Sequence, residues 1–197
     1  MKQLHIITPV KDSIELTLQT IESILSSDFT VPYHYYVYND FSTDENTARL
    51  REASEKMGFE LINLSDLTDH PSPNYLLILQ TAQQKAIAAD AGLLIVESDV
   101  IVKKHTLQSL FDGALTRPDC GIAAAVTVDE QENINYPYLY AKGKEGKVFP
   151  EKKHVSFCCS LLTVSFLKAF DFHQLDPEKN WHDVTISHRS LEKGFTN

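Results

Sequence analysis

The fold is decided by the stretch LHIITPVKDSIELTLQTIESIL, residues 4–25. Its first part, Leu4 to Val10, is mostly apolar and contains β-branched side chains, which predicts a buried strand. Asp12 followed by Glu15 has the spacing of a capping box, which predicts that a helix begins directly after the strand. The apolar residues of that helix recur at helical spacing, at Ile14, Leu18, Ile21 and Leu25. The stretch therefore predicts one strand–helix unit of an α/β protein.

The same alternation continues through the first half of the chain. Further strands are predicted at residues 33–38, 59–64 and 93–96. Helices are predicted between them, one capped by Ser42 with Glu45 and ended by Gly58, the next over residues 75–89. Strands that alternate with helices predict βαβ units, and such units build a mainly parallel central sheet flanked by helices.

The second half of the chain has a less regular pattern. A helix is predicted before Pro118, and a strand at residues 121–128. Residues 129–153, rich in charge, Tyr and Gly, are predicted as a loop or hairpin. An apolar run at residues 155–164 and a helix at residues 183–193 follow. Because no repeat, low-complexity tract or linker interrupts this order, we expect a single domain over the whole chain.

Composition and charge exclude several classes of protein. Hydrophobic residues make up 43% and charged residues 23% of the 197 residues, as in soluble globular proteins. The net charge of −9 repels phosphate backbones and argues against a nucleic-acid partner. The cysteines, at 120, 158 and 159, have neither a disulfide pattern nor zinc-site spacing. With no signal peptide and no apolar segment of membrane-spanning length, we expect a soluble, cytoplasmic protein.

Polar residues gather where three of the predicted strands stop, at 8–12, 39–44 and 97–99. In parallel α/β sheets ligands bind beyond the carboxyl ends of the strands, so these clusters are the candidate site. Glu97 and Asp99 are two carboxylates after a buried strand, a donor set that suits Mg²⁺ or Mn²⁺. The alternative is an ordinary solvated strand end, where Asp and Ser are common turn residues.

Two further carboxylates have both a functional and a structural interpretation. Asp40 follows a strand and could accept a hydrogen bond from a nucleotide base or ribose; alternatively its segment only forms a turn and caps a helix. Asp183 opens the last predicted helix and could act as a general base toward a hydroxyl group. Its structural alternative is a helix N-cap, a position that Asp favours.

Taken together, the order and spacing of these clusters resemble the family 2 glycosyltransferases of the GT-A fold, over nearly the whole chain. Thr8-Pro9-Val10 is similar to the end of that family's opening strand, and residues 39–44 resemble its Asp-Asp-Gly-Ser-Thr-Asp element. Glu97-Ser98-Asp99 resembles the Asp-x-Asp element. Trp181-His182-Asp183, with the later Gly194-Phe195, resembles the Glu-Asp element and its continuation.

The resemblance implies a GT-A domain with a Rossmann-like nucleotide-binding half, residues 1–100, and an acceptor half, residues 101–197. It implies that Asp183 is the catalytic base and that Asp99, with Glu97, holds Mn²⁺ or Mg²⁺. Nucleotide-sugar contacts are implied for Thr8, Pro9, Val10, Asp12, Asp40, Glu97 and Ser98. The implied partners are a nucleoside-diphosphate sugar, UDP-linked by preference, and a glycan, glycolipid or other hydroxyl acceptor. For such acceptors the resemblance also suggests loose association with a membrane face.

Several positions depart from the family pattern. Glu97 replaces the first Asp of Asp-x-Asp, Asn39 and Phe41 replace an Asp and a Gly, and His182 stands where the family has an acid. Family members also continue beyond the Gly-Phe pair, so the acceptor half is expected to be truncated. These departures favour an alternative function, a catalytically degenerate domain that binds nucleotide or a partner protein. A nucleotidyltransferase ranks lower, because no glycine-rich loop follows the first strand.

Overall fold

A six-stranded sheet forms the centre of the computed structural model, which describes residues 1–197. The strands lie in the order β3-β2-β1-β4-β6-β5. Strands β1 to β4 run parallel, whereas β6 runs antiparallel to both of its neighbours. The strands are β1 Leu4–Val10, β2 Tyr33–Asn39, β3 Glu60–Asn63, β4 Gly92–Val96, β5 Ile122–Ala124 and β6 Cys159–Leu162. The mainly parallel α/β sheet predicted from the sequence is confirmed.

Six α-helices cover the two faces of this sheet. They are α1 Ile14–Leu25, α2 Asp44–Met57, α3 Tyr75–Ala88, α4 Thr106–Leu115, α5 Val164–Ala169 and α6 His182–Glu192. The core under α1, α2 and α4 contains Leu94 and Val96 of β4, while the core under α3, α5 and α6 contains Leu93 and Ile95. Since alternate residues of a strand point to opposite faces, β4 is apolar throughout because it is buried on both sides. No helix is long and apolar enough to cross a membrane.

The predicted caps of the first two helices are wrong. Ser13, the residue before α1, has a left-handed conformation (φ +48°) and makes no side-chain capping bond. Asp12 instead accepts hydrogen bonds from the backbone N–H of Thr43 (2.9 Å) and the side chain of Asn46 (3.0 Å). Thr43 rather than Ser42 caps α2. Tertiary structure explains this difference. Adjacent parallel strands bring the two strand–helix loops together, so Asp12 bonds to the neighbouring loop and not to its own helix.

The second half shows shorter strands than the sequence predicts. The strand expected at 121–128 is paired only as β5, Ile122–Ala124, because its neighbour β6 begins at Cys159 and Ala124 pairs with Ser160. The apolar run at 155–164 divides into β6 and the start of α5. Residues 129–153 contain no strand or α-helix, and their elements are an isolated bridge between Val128 and Ile134 and a short 3₁₀ turn, Leu139–Ala141.

Candidate functional site

The sheet order creates a topological switch point beside β1. This strand has β2 on one side and β4 on the other, so the chain's crossovers lead away from β1 in opposite directions. Beyond the carboxyl ends of strands at such a switch point, open α/β sheets leave a crevice that binds ligands. Val10 is level with Asn39 of β2, and Ile7 is level with Ile95 of β4. The three polar clusters singled out in the sequence therefore meet at one edge.

Asp40 is held in this crevice by the loop that precedes α3. It is only 6% exposed. Its Oδ2 accepts hydrogen bonds from the hydroxyl of Ser72 and the backbone N–H of Asn74, and its Oδ1 accepts one from the Asn74 side chain, all at 2.8 Å. A carboxylate offers about four acceptor positions, so roughly one position of Oδ1 is left for a ligand donor. The cap of α2 is Thr43, so this segment does cap a helix, but Asp40 itself is bonded to the loop before α3 instead.

Glu97 lies at the end of β4 and is hydrogen-bonded to the first residue of α3. The hydroxyl of Tyr75 donates to its Oε1 at 2.9 Å. Burial, and after it the neighbouring charges of Asp99 and Asp183, raise the pKa of Glu97 to about 7, although the Tyr75 bond acts in the opposite direction. Glu97 and Asp99, at the end of β4, and Asp183, at the start of α6, form the acidic group of the candidate site. Asp99 is the exposed member of the group.

Asp183 reaches the site from the far end of the chain. It lies in the first turn of α6, and the N-cap position belongs to Trp181, so Asp183 is not the helix cap. Its Oδ1 accepts only the N–H of Val184 (2.8 Å) among the hydrogen bonds of the structure. The preceding residue, His182, is buried and stacks on Tyr75 with ring centroids 6.4 Å apart. Tyr75 therefore ties α6 to Glu97.

The first strand contributes backbone rather than side chains to the crevice. Thr8 is fully buried and Val10 is 2% exposed, and the Thr8 hydroxyl is bonded to that of Tyr35 (2.9 Å). Because these side chains face the core, only the main chain of this predicted base-binding segment is available to a ligand. Pro9, between them, is also buried. Ser98 is half-buried beside Glu97, and Asp12 is engaged by the loop before α2.

Several solved structures are similar to this chain. TarS 1-349 from S. aureus superposes with a TM-score of 0.70 and 17% identity, over 96% of this chain and 55% of TarS 1-349. The mannosyltransferase PcManGT from Pyrobaculum calidifontis, solved with GDP-Man and Mn²⁺, superposes with a TM-score of 0.70 and 12% identity, over 99% of this chain and 53% of PcManGT. Glucosyl-3-phosphoglycerate synthase from Mycobacterium tuberculosis, solved with UDP, superposes with a TM-score of 0.53 and 16% identity, over 84% of this chain and 58% of the synthase.

The chain has the GT-A fold. The GT-A fold expected from the sequence is thereby confirmed. The domain spans little more than half the length of each of these structures. No protein-family model and no curated protein matches the sequence.

Three residues of this GT-A domain belong to the site although the sequence did not indicate them. Tyr75 and Asn74 begin α3 and bond to Glu97 and Asp40, respectively. Cys158 lies just before β6, and the pKa of its thiol is raised by burial and by the charges of Glu97, Asp99 and Asp183. None of the three carried a local signal: Tyr75 reads as part of an apolar helix face, and its partner lies 22 residues away.

The acidic group suits a divalent cation. The structure contains no cluster of three or more His, Cys, Asp or Glu side chains arranged as a complete ligand set. Mg²⁺ and Mn²⁺ sites in nucleotide-binding enzymes typically use one or two carboxylates and take further oxygens from phosphates. Asp99 is exposed, and Glu97 beside it is held near other negative charges, so the donor set of the GT-A domain fits such a cation without completing its shell.

We expect the pKa of Glu97 to produce a pH-dependent difference in stability. The group titrates at 4.5 when unfolded and at about 7 when folded, so the unfolded state ionises first as pH rises. Its contribution is therefore full below pH 4.5 and is lost between pH 4.5 and 7, by up to roughly 3 kcal/mol. In urea unfolding with EDTA present, the free energy of unfolding of the wild type relative to Glu97→Gln should fall over this range.

The control for that measurement is Glu22→Gln, on the exposed side of α1. Its stability should follow the wild type at every pH. Parallel curves for the wild type and Glu97→Gln would show that Glu97 ionises equally easily in both states.

Proposed function

We propose that this domain belongs to an inverting, metal-dependent glycosyltransferase that moves a sugar from a nucleoside-diphosphate sugar, UDP-linked by preference, to an acceptor hydroxyl. One observation carries the proposal. Tyr75 is bonded to Glu97 and stacks on His182, so the start of α6, which carries Asp183, lies beside the end of β4, although Asp99 and Glu97 are 84 and 86 residues earlier in the chain. An isolated strand end or helix cap would not need this convergence of negative charge, which is unfavourable without a ligand.

The nucleotide would occupy the crevice between β1 and β2. The remaining acceptor position of Asp40 suits an N–H of a uracil ring, and the main chain at the end of β1 would form the facing wall. The loop of Ser72 and Asn74 holds Asp40 in this orientation. In support, TarS 1-349 has been solved with UDP and with UDP-GlcNAc.

The diphosphate would lie toward Glu97 and Asp99. A diphosphate next to an acidic cluster in a protein of net charge −9 requires a counter-ion. Asp99, helped by Glu97, would hold Mn²⁺ or Mg²⁺, which supplies Lewis-acid stabilisation of the charge on the departing diphosphate. PcManGT, which shares the fold, was solved with GDP-Man and Mn²⁺.

Asp183 would act as the general base. The acceptor hydroxyl lies between Asp183 and the anomeric carbon, and its proton passes to the Asp183 carboxylate as the oxygen attacks. The new carbon–oxygen bond forms on the face opposite the diphosphate. The bond from the anomeric carbon to the diphosphate breaks at the same time, and its electron pair leaves with UDP, which inverts the configuration. The free Oδ2 of Asp183 is the oxygen available for the proton, since Oδ1 already accepts the N–H of Val184.

Trp181 is proposed as a binding surface for the acceptor. Its side chain is 69% exposed, two residues from Asp183. A large aromatic ring left in solvent beside a proposed base offers an apolar face on which a sugar ring or similar group can stack. We expect Trp181→Ala to raise the KM for the acceptor about tenfold and to change kcat little, because the ring contributes binding in the ground state and the transition state alike.

Steady-state kinetics with varied acceptor and saturating donor would measure this effect. Trp181→Phe should restore most of the affinity, since it keeps an aromatic face. An unchanged acceptor KM in Trp181→Ala would remove the residue from the acceptor site.

The second candidate is a degenerate GT-A domain that binds nucleotide without transfer. The replacement of the family's aspartate by Glu97, with its pKa near 7, favours it, because part of the Glu97 population is protonated at neutral pH. Hydrolysis of the donor sugar in the absence of an acceptor separates the two candidates. An active enzyme releases UDP slowly under these conditions, and a degenerate domain releases none.

Calorimetric titration of UDP into the protein, with and without Mn²⁺, tests the donor site itself. We expect binding that depends on Mn²⁺. No heat of binding under either condition would mean that the fold has been retained without its donor site, and the proposed transfer would then fail.

A further inference from the structure

A second cavity lies away from the carboxyl ends of β1 and β2. It has a volume of about 730 Å³ and is enclosed by α4, by β5 and by the segment 138–151. Strand β5 is the edge of the sheet, so its outer side has no neighbouring strand to fill this space. None of the proposed donor-site residues Asp40, Glu97, Asp99 and Asp183 lines the cavity.

Apolar side chains form a large part of the wall of this cavity. Half of its wall, 14 of 29 residues, is hydrophobic, and Ala124 and Phe149 are among them. Some of these side chains remain open to solvent: Val148 is 87% exposed and Tyr140 is 43% exposed. Exposed apolar surface collected in a concavity, rather than scattered, is typical of a binding site for an apolar group.

The charge of the wall is opposite to that of the protein. Five basic residues but only two acidic ones, Glu145 and Glu151, line the cavity, in a chain with 18 basic and 27 acidic side chains. Three of the basic residues are paired with acids outside the cavity wall, namely Lys103 with Glu132, Lys104 with Asp28, and Arg117 with Asp119. The other two, Lys144 and Lys147, have no acidic group within 4.0 Å and are the cations available to a ligand.

These two lysines are presented together by one tight turn. The N–H of Lys147 donates to the carbonyl of Lys144 (3.1 Å), and Gly146 between them has φ +69°, a conformation that glycine adopts without strain. Lys144 lies over the ring of Phe149, 4.1 Å from its centroid, and so joins the charged turn to the apolar wall. The carboxylate of Glu145, in the same turn, accepts a hydrogen bond from the N–H of Gly143 (2.9 Å).

We propose that this cavity binds an amphipathic anion, a molecule in which an apolar chain carries a phosphate or similar anionic group. The chain lies against Ala124, Tyr140 and Val148, and the anionic group lies between Lys144 and Lys147. The site goes beyond the proposed sugar transfer and stands without it. It is nevertheless close to the crevice: the hydroxyl of Tyr138, in the cavity wall, is bonded to the backbone of Ser156, two residues before Cys158.

Calorimetric titration with three probes tests the site. Decyl phosphate carries both features, decyl glucoside has the same chain without charge, and inorganic phosphate has the charge without the chain. We expect decyl phosphate to bind about tenfold more tightly than decyl glucoside and inorganic phosphate to show no binding. Equal affinity for the two decyl compounds, or equal affinity for the two phosphates, would overturn the inference.

Variants locate the binding within the structure. Lys144→Gln combined with Lys147→Gln should weaken the binding of decyl phosphate about five- to tenfold and leave the binding of decyl glucoside unchanged. Val148→Asp, at a position open to solvent, should weaken decyl phosphate as well. The matched control, Lys2→Gln with Lys179→Gln, removes the same charge outside the cavity and should have no effect. Equal weakening by the control pair would show that the affinity depends on the net charge of the protein and not on the two cavity lysines.

UDP titration of the same preparations keeps the two proposals apart. If decyl phosphate binds and UDP does not, the cavity is a ligand site and the proposed transfer fails. If UDP binds with Mn²⁺ and decyl phosphate does not, the donor site stands and the inference about the cavity is wrong.

Discussion

Asp183→Asn is expected to lower the rate of sugar transfer about 1,000-fold, because a positioned general base contributes 10²- to 10⁴-fold to such a reaction. Asn has the same shape and still accepts the N–H of Val184 through its carbonyl oxygen, but it cannot take the acceptor's proton. Donor binding should change less than twofold, since Asp183 is proposed to act on the acceptor. Turnover of a UDP-sugar and UDP calorimetry on the same sample measure both quantities.

Glu192→Gln is the matched control for this substitution. It makes the same change from carboxylate to amide on the same helix, at an exposed position near the C-terminal end of α6, where Glu192 pairs with Arg189 (2.6 Å). The control should retain wild-type turnover, and thermal unfolding should show that both variants remain folded. Wild-type turnover in Asp183→Asn would remove this residue from the role of base.

Asp99→Asn is expected to abolish the Mn²⁺-dependent part of UDP binding and to weaken the affinity in Mn²⁺ at least tenfold. An amide oxygen is a much poorer ligand for a hard divalent cation than a carboxylate, and the diphosphate then loses its counter-ion. Affinity measured without Mn²⁺ should be unchanged or slightly improved, because one negative charge near the diphosphate has been removed. Asp99 is exposed, so the substitution is not expected to destabilise the fold.

Asp112→Asn provides the comparison, since Asp112 is an exposed carboxylate on α4 that lies outside the crevice. It should bind UDP and Mn²⁺ as the wild type does. If Asp99→Asn keeps full Mn²⁺-dependent binding, the cation is held elsewhere and the interpretation of Glu97-Ser98-Asp99 as a metal-binding element is wrong.

Local pattern was enough to predict much of the fold. A continuous apolar run predicts a strand buried on both faces, and β4 is such a strand. Helical spacing predicted α3 to within one residue at its end. The same reasoning failed for the caps of α1 and α2, because a polar side chain at a strand end can bond to its own helix or to a neighbouring loop. Asp12 bonds to the loop before α2, which is adjacent only after the sheet has formed.

The candidate site was only partly predictable. Asp40, Glu97 and Asp99 follow strands, and parallel strands place their carboxyl ends along one edge, so their approximate position follows from the sequence pattern. Their surroundings do not: Asn74 and Ser72 hold Asp40, and neither residue has a local pattern that marks it. The sequence also did not show in which direction the side chains of β1 point, and in the structure those of Thr8 and Val10 are buried in the core.

By itself the sequence determined the alternation of strands and helices, the positions of the acidic strand ends and the negative balance of charge, because these depend on local periodicity and on composition. The tertiary structure decided which of these residues meet. The start of α6, with Asp183, lies beside the end of β4, with Glu97, although two further strands separate them in the chain, because Tyr75 contacts both. Lys144 and Lys147 likewise face an apolar cavity only because the sheet ends at β5. Contacts between distant segments depend on packing across the whole domain, and no local pattern encodes them.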